Sequence, residues 1–433
     1  MLNIFWFRRD LRLDDNVGLY KALKAGLPVL PVFIFDEMIL SRLEDQYDAR
    51  VSFIYSEVLS LKGRIEKEGS SLLIKYGKSE TIFADLVKSY DIKNIYANHD
   101  YEPYAIRRDT LVKGLLLQNN INFITAKDQV IFEKDEVLKE SGEPYTVFTP
   151  YSKKWKSIFN SKETQLFPSE DLCDHFIKTP SFPTPTPASF GFKRIEISIP
   201  PREIDENLIR DYHNTRDYPA IRGTSGLGPH LRFGTISIRK LVLIASRLNE
   251  TYLGELIWRE FYMMILWQFP YVEGRSFKSQ YDHIAWENDE RQFAAWCNGM
   301  TGYPFVDAGM RELNQTGYMH NRARMVTASF LTKHLLIDWR WGEAWFANKL
   351  LDYELSSNNG GWQWAAGTGC DAAPYFRVFN PELQAAKFDP EKKYIRKWVP
   401  EFESSRYPGP VVNHQEARER AISAYKKALG KII

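Results

Sequence analysis

The sequence predicts an α/β N-terminal domain of Rossmann-like type with a parallel sheet, followed by an all-α C-terminal domain. In the first 130 residues, short apolar runs rich in branched and aromatic residues alternate with amphipathic stretches. From residue 203 onward, apolar residues recur instead at i, i+3 and i+4 spacing. Seven prolines fall within residues 161–202. We therefore expect residues 131–202 to connect a domain over 1–130 with a domain over 203–433.

The alternation in the first region is typical of strands joined by helices in a parallel sheet. Val51–Lys62, for example, is expected to be a helix because its apolar residues share one face. The loop after the first strand, RRDLRLDDN, contains no glycine. The dinucleotide fingerprint G-x-G-x-x-G is therefore missing, and no nicotinamide site is expected. The predicted strands are Leu2–Phe7, Val29–Phe35, Ser71–Tyr76, Asn94–Ala97 and Asn122–Ala126.

The C-terminal region shows no convincing strand pattern, and its helical periods predict an all-helical domain. The predicted helices are Ile238–Leu248, Leu253–Trp267, Val306–Leu313, Arg322–Leu336, Glu343–Leu355 and Ala417–Leu429.

Overall composition narrows the class of protein without naming a partner. The 57 Lys and Arg nearly balance the 55 Asp and Glu, so net charge neither supports nor excludes nucleic acid. The three cysteines are far apart and have no metal-ligand or disulfide spacing, which predicts no metal site and favours a reducing compartment. The apolar start LNIFWF is too short for a signal peptide or membrane span. We expect a cytoplasmic protein with no membrane association.

Tryptophan is concentrated in the second half, where ten of the twelve lie between residues 258 and 398. This favours aromatic stacking or electronic chemistry there, because Trp is an awkward core residue. The stretch DYELSSNNGGWQWAAGTGCDAAPYFR, residues 352–377, adds glycines that let the backbone approach a flat group. Trp362 and Trp364 are two apart, so one can point inward and the other outward. A glycine-rich helix start inside an aromatic core is the simpler interpretation.

Three further motifs carry candidate binding residues. GTSGLGPHLRFG, residues 223–234, could hold a phosphate at a helix N-terminus, although an ordinary capped loop fits equally well. In ELIWRE, Glu255, Trp258 and Arg259 share one helical face, where a surface ion pair between Glu255 and Arg259 is the alternative. In HNRARM, residues 320–325, two arginines need acidic partners or a phosphate, and the nearby acids of the 352–377 stretch are candidates.

These motifs, in this order, resemble the photolyase/cryptochrome family, and most closely its class I cyclobutane pyrimidine dimer photolyases. The resemblance runs from FWFRRDLRLDDN to ELIWREFY, TGYPFVDAGMRELNQTGYMHNRARM and NNGGWQWAAGTGCDAAPYFRVFNP. It implies an antenna domain, a helical FAD-binding domain and blue-light chemistry on UV-damaged DNA that contains pyrimidine dimers. We expect a cytoplasmic monomer that is associated with the nucleoid when bound to DNA.

The resemblance implies where FAD would bind. Asn358 would face flavin N5, Arg324 and Asp352 would form an ion pair beside the ring, and a backbone N–H would replace the usual serine at Gly228. The implied cofactor-binding residues are Tyr212, Thr224, Ser225, Gly226, Leu227, Gly228, Trp258, Arg259, Arg324, Asp352, Glu354 and Asn358.

The resemblance also implies a catalytic set and a lesion-binding set. Trp362, Trp339 and Trp286 match a relay that carries electrons to the flavin, and Glu255 would stabilise the dimer by hydrogen bonding. Flipping a dimer costs less than flipping a normal base, and aromatic stacking offsets about 1–3 kcal/mol per base. The implied catalytic residues are Glu255, Asn358, Trp286, Trp339 and Trp362; those for DNA and lesion are Arg216, Glu255, Trp258, Asn321, Arg322, Met325 and Trp364.

Three other classes stay open. In (6–4) photolyases the family pattern places two His near the lesion, where this sequence has Asn321 and Met325, which leaves His320 as the nearby candidate acid. Plant cryptochromes, which signal, carry an acid at the position of Asn358, a neutral amide here. A light-independent flavoenzyme would need the missing nicotinamide site.

The antenna chromophore is unassigned. Folate-binding members usually present Asn-Glu in the helix after the fourth strand, where this sequence has Tyr104 and Ala105. A folate, a deazaflavin, a second flavin or no antenna all stay open.

Overall fold

The computed structural model describes residues 1–430, which form one five-stranded sheet and a series of helices. The strands are β1 (Leu2–Phe7), β2 (Val29–Asp36), β3 (Leu73–Gly77), β4 (Ile92–Asn98) and β5 (Asn122–Ala126). The helices are α1 (Val17–Lys24), α2 (Glu37–Leu40), α3 (Ala49–Lys67), α4 (Ser79–Ser89), α5 (Pro103–Gln118), α6 (Phe148–Ile158), α7 (Glu206–Thr215), α8 (Gly228–Phe233), α9 (Ile238–Leu248), α10 (Glu250–Gln268), α11 (Glu290–Cys297), α12 (Pro304–Thr316), α13 (Asn321–Ser329), α14 (Trp339–Lys349), α15 (Leu355–Ala366), α16 (Pro381–Phe388), α17 (Lys393–Trp398) and α18 (His414–Ala428).

The sheet is parallel, with strand order β3-β2-β1-β4-β5. β1 and β2 are buried along their whole length, as expected for parallel strands covered by helices on both faces. All five predicted strands are present, although β3 begins at Leu73 instead of Ser71. The predicted α/β N-terminal fold is confirmed. Successive strands are added on one side of β1 up to β3 and then on its other side from β4, so the strand order switches between β1 and β4.

Charged side chains fill the loop that follows β1. Arg12 Nη2 lies 2.7 Å from a carboxylate oxygen of Asp128, and Asn98 Nδ2 donates to Asp10 at 2.6 Å. Burial by itself would raise the pKa of the Asp128 carboxyl, but the neighbouring Arg12 and Arg239 lower it below its usual value. The loop after β1 is therefore held by buried ion pairs and hydrogen bonds.

The chain divides into two compact units whose boundaries differ from the expected 1–130, 131–202 and 203–433. Unit 1 comprises residues 1–133, 159–204 and 226–246; unit 2 comprises residues 134–158, 205–225 and those from 247 to the end of the described chain. The expected linker is therefore divided. Its α6 belongs to the helical unit, whereas its proline-rich part packs on the α/β unit, where Phe190 stacks on Phe35 at 4.9 Å.

Unit 2 is helical, and its described residues contain no strand. Two helices show the largest differences from prediction. The helix expected over Arg322–Leu336 is α-helical only to Ser329 and continues as a π-helix over Phe330–His334. The helix expected over Glu343–Leu355 is α14, and α15 follows after a short break. Within residues 1–430, no helix has the length and apolar character needed to span a membrane.

Candidate functional site

The glycine-rich stretch forms α15, in which two adjacent glycines face different surroundings. A Cβ built on Gly360 would lie 2.2 Å from Cδ1 of Tyr262, so the tyrosine ring packs directly on the helix backbone. A Cβ built on Gly361 would have no neighbouring heavy atom of the described residues within 4 Å beyond its own helix. Gly361 lies three residues after Asn358, on the same helical face. That face therefore offers an open backbone surface which a flat group can approach closely.

Asn358 is held in one orientation by Glu343 of α14. Its Nδ2 donates to Oε1 of Glu343 at 2.7 Å and to the main-chain oxygen of Glu343 at 3.1 Å. Burial raises the pKa of Glu343, and the hydrogen bond from Asn358 opposes this shift. Because both amide hydrogens are used, the remaining polar atom of Asn358 is Oδ1, which can only accept.

Each acid that precedes α15 has an arginine partner. Arg324 Nη2 lies 2.9 Å from Asp352, which is the ion pair that the sequence predicts. Arg259 Nε lies 3.4 Å from Glu354, which gives Arg259 an acidic partner at the start of α15. These pairs join α10 and α13 to the start of α15 and fix the position of its first turn.

The three tryptophans of the predicted relay lie in one region of the helical unit. Trp339 and Trp362 are buried in the same apolar core, and Trp286 packs against that core. A Cβ on Gly342 would lie 2.0 Å from Cη2 of Trp362, so the indole rests on the backbone of α14. The ring centroid of Trp362 is also 6.0 Å from that of Trp296. Trp362 is thus fixed on several sides by packing.

Aromatic rings surround the predicted lesion-binding residue Trp258. Phe148 of α6 stacks on its indole with ring centroids 3.7 Å apart and an interplanar angle of 8°. Tyr262 lies 5.3 Å away in a tilted arrangement. Trp258 and Trp364 are both half-buried, which leaves part of each ring accessible. Phe148 therefore holds Trp258 from one face, at a separation typical of strong aromatic stacking.

Four charged side chains form a connected set, here called the charged cluster: Arg216, Asp217, Glu255 and Arg322. Arg216 Nη1 contacts Glu255 Oε1, and Arg322 Nη2 contacts Asp217 Oδ1, each at 2.5 Å. Arg216 Nε also lies 3.9 Å from Asp217. The acids of the 352–377 stretch are therefore not the partners of Arg322. Its partner is Asp217, which directly follows Arg216 in the chain.

The other predicted lesion contacts lie on α13. Asn321 is exposed at its first position, and Met325 is half-buried one turn later. His320 caps this helix, since its Nδ1 accepts from the main-chain N–H of Arg322 at 3.1 Å. Burial, with Arg324 and Arg322, lowers the pKa of His320 to about 4. The ring is therefore neutral near pH 7.

The predicted phosphate motif is divided between the two units. Thr224 Oγ1 lies 3.2 Å from the Tyr318 hydroxyl, and Ser225 Oγ accepts from Tyr252 at 2.9 Å, both in unit 2. Tyr212 packs edge-on against Tyr252 in the same unit. Gly226, Leu227 and Gly228 belong to unit 1. The assignment of all six residues to FAD stays a prediction.

Comparison with known proteins identifies the family. Residues 3–170 match the family model described as DNA photolyase, and residues 252–406 match the FAD binding domain of DNA photolyase. A deoxyribodipyrimidine photo-lyase of Vibrio cholerae is 36% identical, over 99% of this chain and 100% of the relative. The chain belongs to the DNA photolyase family.

Solved photolyase structures share the whole fold. A bacterial class III photolyase from Agrobacterium tumefaciens superposes with a TM-score of 0.87 at 32% identity, covering 99% of this chain and 98% of the other. An archaeal photolyase from Sulfolobus tokodaii, solved with two FAD molecules, gives 0.82 at 34% identity, covering 99% and 100%. The family resemblance, the fold class and the FAD-binding domain predicted from the sequence are all confirmed.

The open face of α15 fits the flavin of a photolyase. Gly361 leaves room above the backbone, and Asn358 on the same face presents an acceptor. The Nε1 atom of Trp362 is buried without a hydrogen-bond partner among the described residues. A flat group with both polar and apolar parts suits this combination.

Sequence reasoning did not name three residues that contact the candidate site residues. Glu343 orients Asn358 but lies 15 positions before it, and no local pattern joins the two. Phe148 falls in the expected linker, and its aromatic neighbours Tyr145 and Tyr151, each three positions away, could have indicated a packed segment there. Asp217 could have been found from its position directly after Arg216.

Proposed function

We propose that this protein is a light-driven DNA repair enzyme, a deoxyribodipyrimidine photolyase that splits cyclobutane pyrimidine dimers. Full-length similarity to photo-lyases from several organisms supports this activity. In this proposal, Trp258 and Trp364 stack on the flipped dimer, while Asn321 and Met325 contact it. Such stacking offsets the cost of extruding the damaged bases.

Reduced FAD, when bound and excited by blue light, would supply the reversible one-electron transfer that lets the two carbon–carbon bonds of the cyclobutane ring break. Glu255 holds the dimer by hydrogen bonding. Burial raises the pKa of Glu255 against the opposing effect of Arg216, and its carboxylate can accept a hydrogen bond from an N–H of the dimer. Trp362, Trp339 and Trp286 would pass electrons from a reductant at the protein surface to oxidised FAD, because indole is readily oxidised.

The side chains at the start of α13 favour a cyclobutane dimer over a (6–4) photoproduct. A (6–4) photoproduct needs a general acid beside it, but Asn321 and Met325 do not titrate. His320 is 4% exposed, its pKa is lowered to about 4, and its Nδ1 caps α13, so its ring is neutral near pH 7 and a poor proton donor there. These side chains favour a reaction that needs electron transfer alone.

Repair assays on two substrates test this function. The FAD-loaded, reduced protein is illuminated with blue light on oligonucleotides that carry a single cyclobutane dimer or a single (6–4) lesion. We expect light-dependent loss of the cyclobutane dimer only. Repair of the (6–4) lesion instead, or no repair of either lesion, would refute the proposal.

We further propose a second chromophore in the α/β unit. An open cavity of about 230 Å³ is lined by the loop after α2 and by three aromatic residues, Tyr76, Phe190 and Phe192, which offer flat faces for stacking. Tyr104 lies at one of the two positions where folate-binding members usually have Asn-Glu. Its hydroxyl donates to Asp36 at 2.7 Å. The Sulfolobus tokodaii structure with two FAD molecules supports a flat aromatic ligand. Absorption spectra before and after denaturation would identify each bound chromophore.

We also propose that the protein acts as a monomer in the cytoplasm and on the nucleoid. The cysteines Cys173, Cys297 and Cys370 are all free thiols, which suits a reducing compartment. Sedimentation of the FAD-loaded protein at micromolar concentration tests the oligomeric state, and a stable dimer would contradict it.

A further inference from the structure

In the charged cluster, both arginines that are expected to hold the DNA backbone are already bound to acids. Arg216 contacts Glu255, and Arg322 contacts Asp217. Two positive and two negative charges leave the cluster with no net formal charge. A phosphate that approaches it must therefore replace a carboxylate before it gains an arginine.

The two acids differ in what happens when their arginine leaves. The side chain of Asp217 is 40% exposed, so water can solvate its carboxylate after release. Glu255 is less exposed, at 33%, and lies among Tyr212, Tyr252 and Tyr262, whose pKa values are raised by burial and, less strongly, by Glu255. Leaving a carboxylate without a partner in such surroundings is costly.

We propose that Arg216 is a conditional phosphate clamp: it stays on Glu255 when undamaged DNA binds, and turns to the DNA backbone only when a flipped dimer engages Glu255. The inference rests on the proposed function, which places the dimer against Glu255. Arg322 has no such condition, because Asp217 can be released to water. The number of phosphates that the protein neutralises therefore depends on whether the lesion pocket is filled.

The salt dependence of DNA binding measures this number. Each phosphate neutralised adds about 0.9 to the slope of log K against log salt for duplex DNA. The experiment uses FAD-loaded protein in the dark, with two duplexes identical except for one cyclobutane dimer. For the wild-type protein we expect the slope on dimer DNA to exceed that on undamaged DNA by about 0.9.

Removing the negative charge from Glu255 should free Arg216 on undamaged DNA. For Glu255→Gln we expect the slope on undamaged DNA to steepen by about 0.9, an additional loss of about 3-fold in affinity between 50 and 200 mM salt. The double variant Glu255→Gln with Arg216→Gln should return to the wild-type slope on undamaged DNA. FAD content and circular dichroism of each variant report whether it is folded.

Glu206→Gln is the matched control. Glu206 forms an exposed ion pair with Arg247 at 3.2 Å, so the variant removes one charge at the other end of α7 without touching the cluster. Its slopes should equal those of the wild type, and a slope change as large as that of Glu255→Gln would refute the clamp. Equal wild-type slopes on the two duplexes, or an unchanged slope in Glu255→Gln, would also refute it. Wild-type protein that shows no preference for dimer DNA would instead contradict the proposed function.

Discussion

Gly360 and Gly361 allow the same substitution to be tested at neighbouring positions with opposite expected results. In Gly360→Ala, the new Cβ would lie 2.2 and 2.3 Å from two ring carbons of Tyr262, well inside van der Waals contact. Overpacking of this kind costs about 1–3 kcal/mol, and the helix propensity of alanine returns about 0.5–1 kcal/mol. We expect a net loss of about 1–2 kcal/mol, which lowers Tm by about 2–8 °C for a unit of this size.

Gly361→Ala should leave the flavin-free fold intact. The added methyl meets no neighbouring heavy atom of the described chain within 4 Å, so reduced entropy of the unfolded chain should stabilise the protein by about 0.4–1 kcal/mol. The same methyl projects from the open face of α15, where the flavin is proposed to lie. We therefore expect a lower FAD content together with an unchanged or higher Tm of the apoprotein.

Two measurements on each variant separate these effects: thermal unfolding of the flavin-free protein by circular dichroism, and FAD content after reconstitution by absorbance. Gly360→Ala that is at least as stable as wild type would show that the Tyr262 ring does not rest on the backbone. Gly361→Ala that binds FAD as well as wild type would refute the proposed position of the flavin on this face.

Three further predictions concern electron supply, repair and pH. Trp362→Phe should strongly slow the light-driven reduction of bound FAD, followed by absorbance, while pre-reduced protein keeps most of its repair yield; an unchanged rate refutes the relay. Glu255→Ala should lower the repair yield more than the FAD content, whereas equal losses would indicate a structural role. Burial lowers the pKa of His320 to about 4 and of His334 to about 3, below the usual value of about 6.5. Between pH ~6.5 and these lowered pKa values the unfolded chain binds more protons than the folded chain, so the free energy of unfolding falls as the pH falls through this range. A denaturation midpoint that stays constant from pH 7 to 4.5 would contradict this prediction.

The secondary structure was predictable where one local period dominates. The strands follow from short apolar runs, because a parallel strand is buried on both faces. The extent of α13 was not predictable, since the apolar spacing continues past Ser329 although the hydrogen bonding changes to a π-helix at Phe330. Similarly, the density of proline in residues 161–202 concealed the helix α6 just before it.

The site was predictable as a set of residues but not as a set of partners. Family resemblance names Arg216, Arg322 and Glu255 one by one, and Arg322 and Glu255 lie in motifs that are local in sequence. Their ion pairs cross long separations, 105 positions in the case of Arg322 and Asp217. Which acid meets which arginine depends on the packing of α7, α10 and α13, and helical periodicity alone does not determine it.

Helix α15 places Trp362 and Trp364, for which electron supply and lesion binding are proposed, on different sides. Residues two apart on an α-helix point about 200° from each other, so Trp362 and Trp364 leave the helix on nearly opposite sides. Trp362 is 2% exposed and packs in the core with Trp339, whereas Trp364 is half-buried and lines a cavity with Asp371 and Tyr262. A substitution at Trp362 therefore acts on the core side and one at Trp364 on the accessible side. We expect variants of Trp362 to lose photoreduction and variants of Trp364 to lose lesion affinity, with additive effects in the double variant.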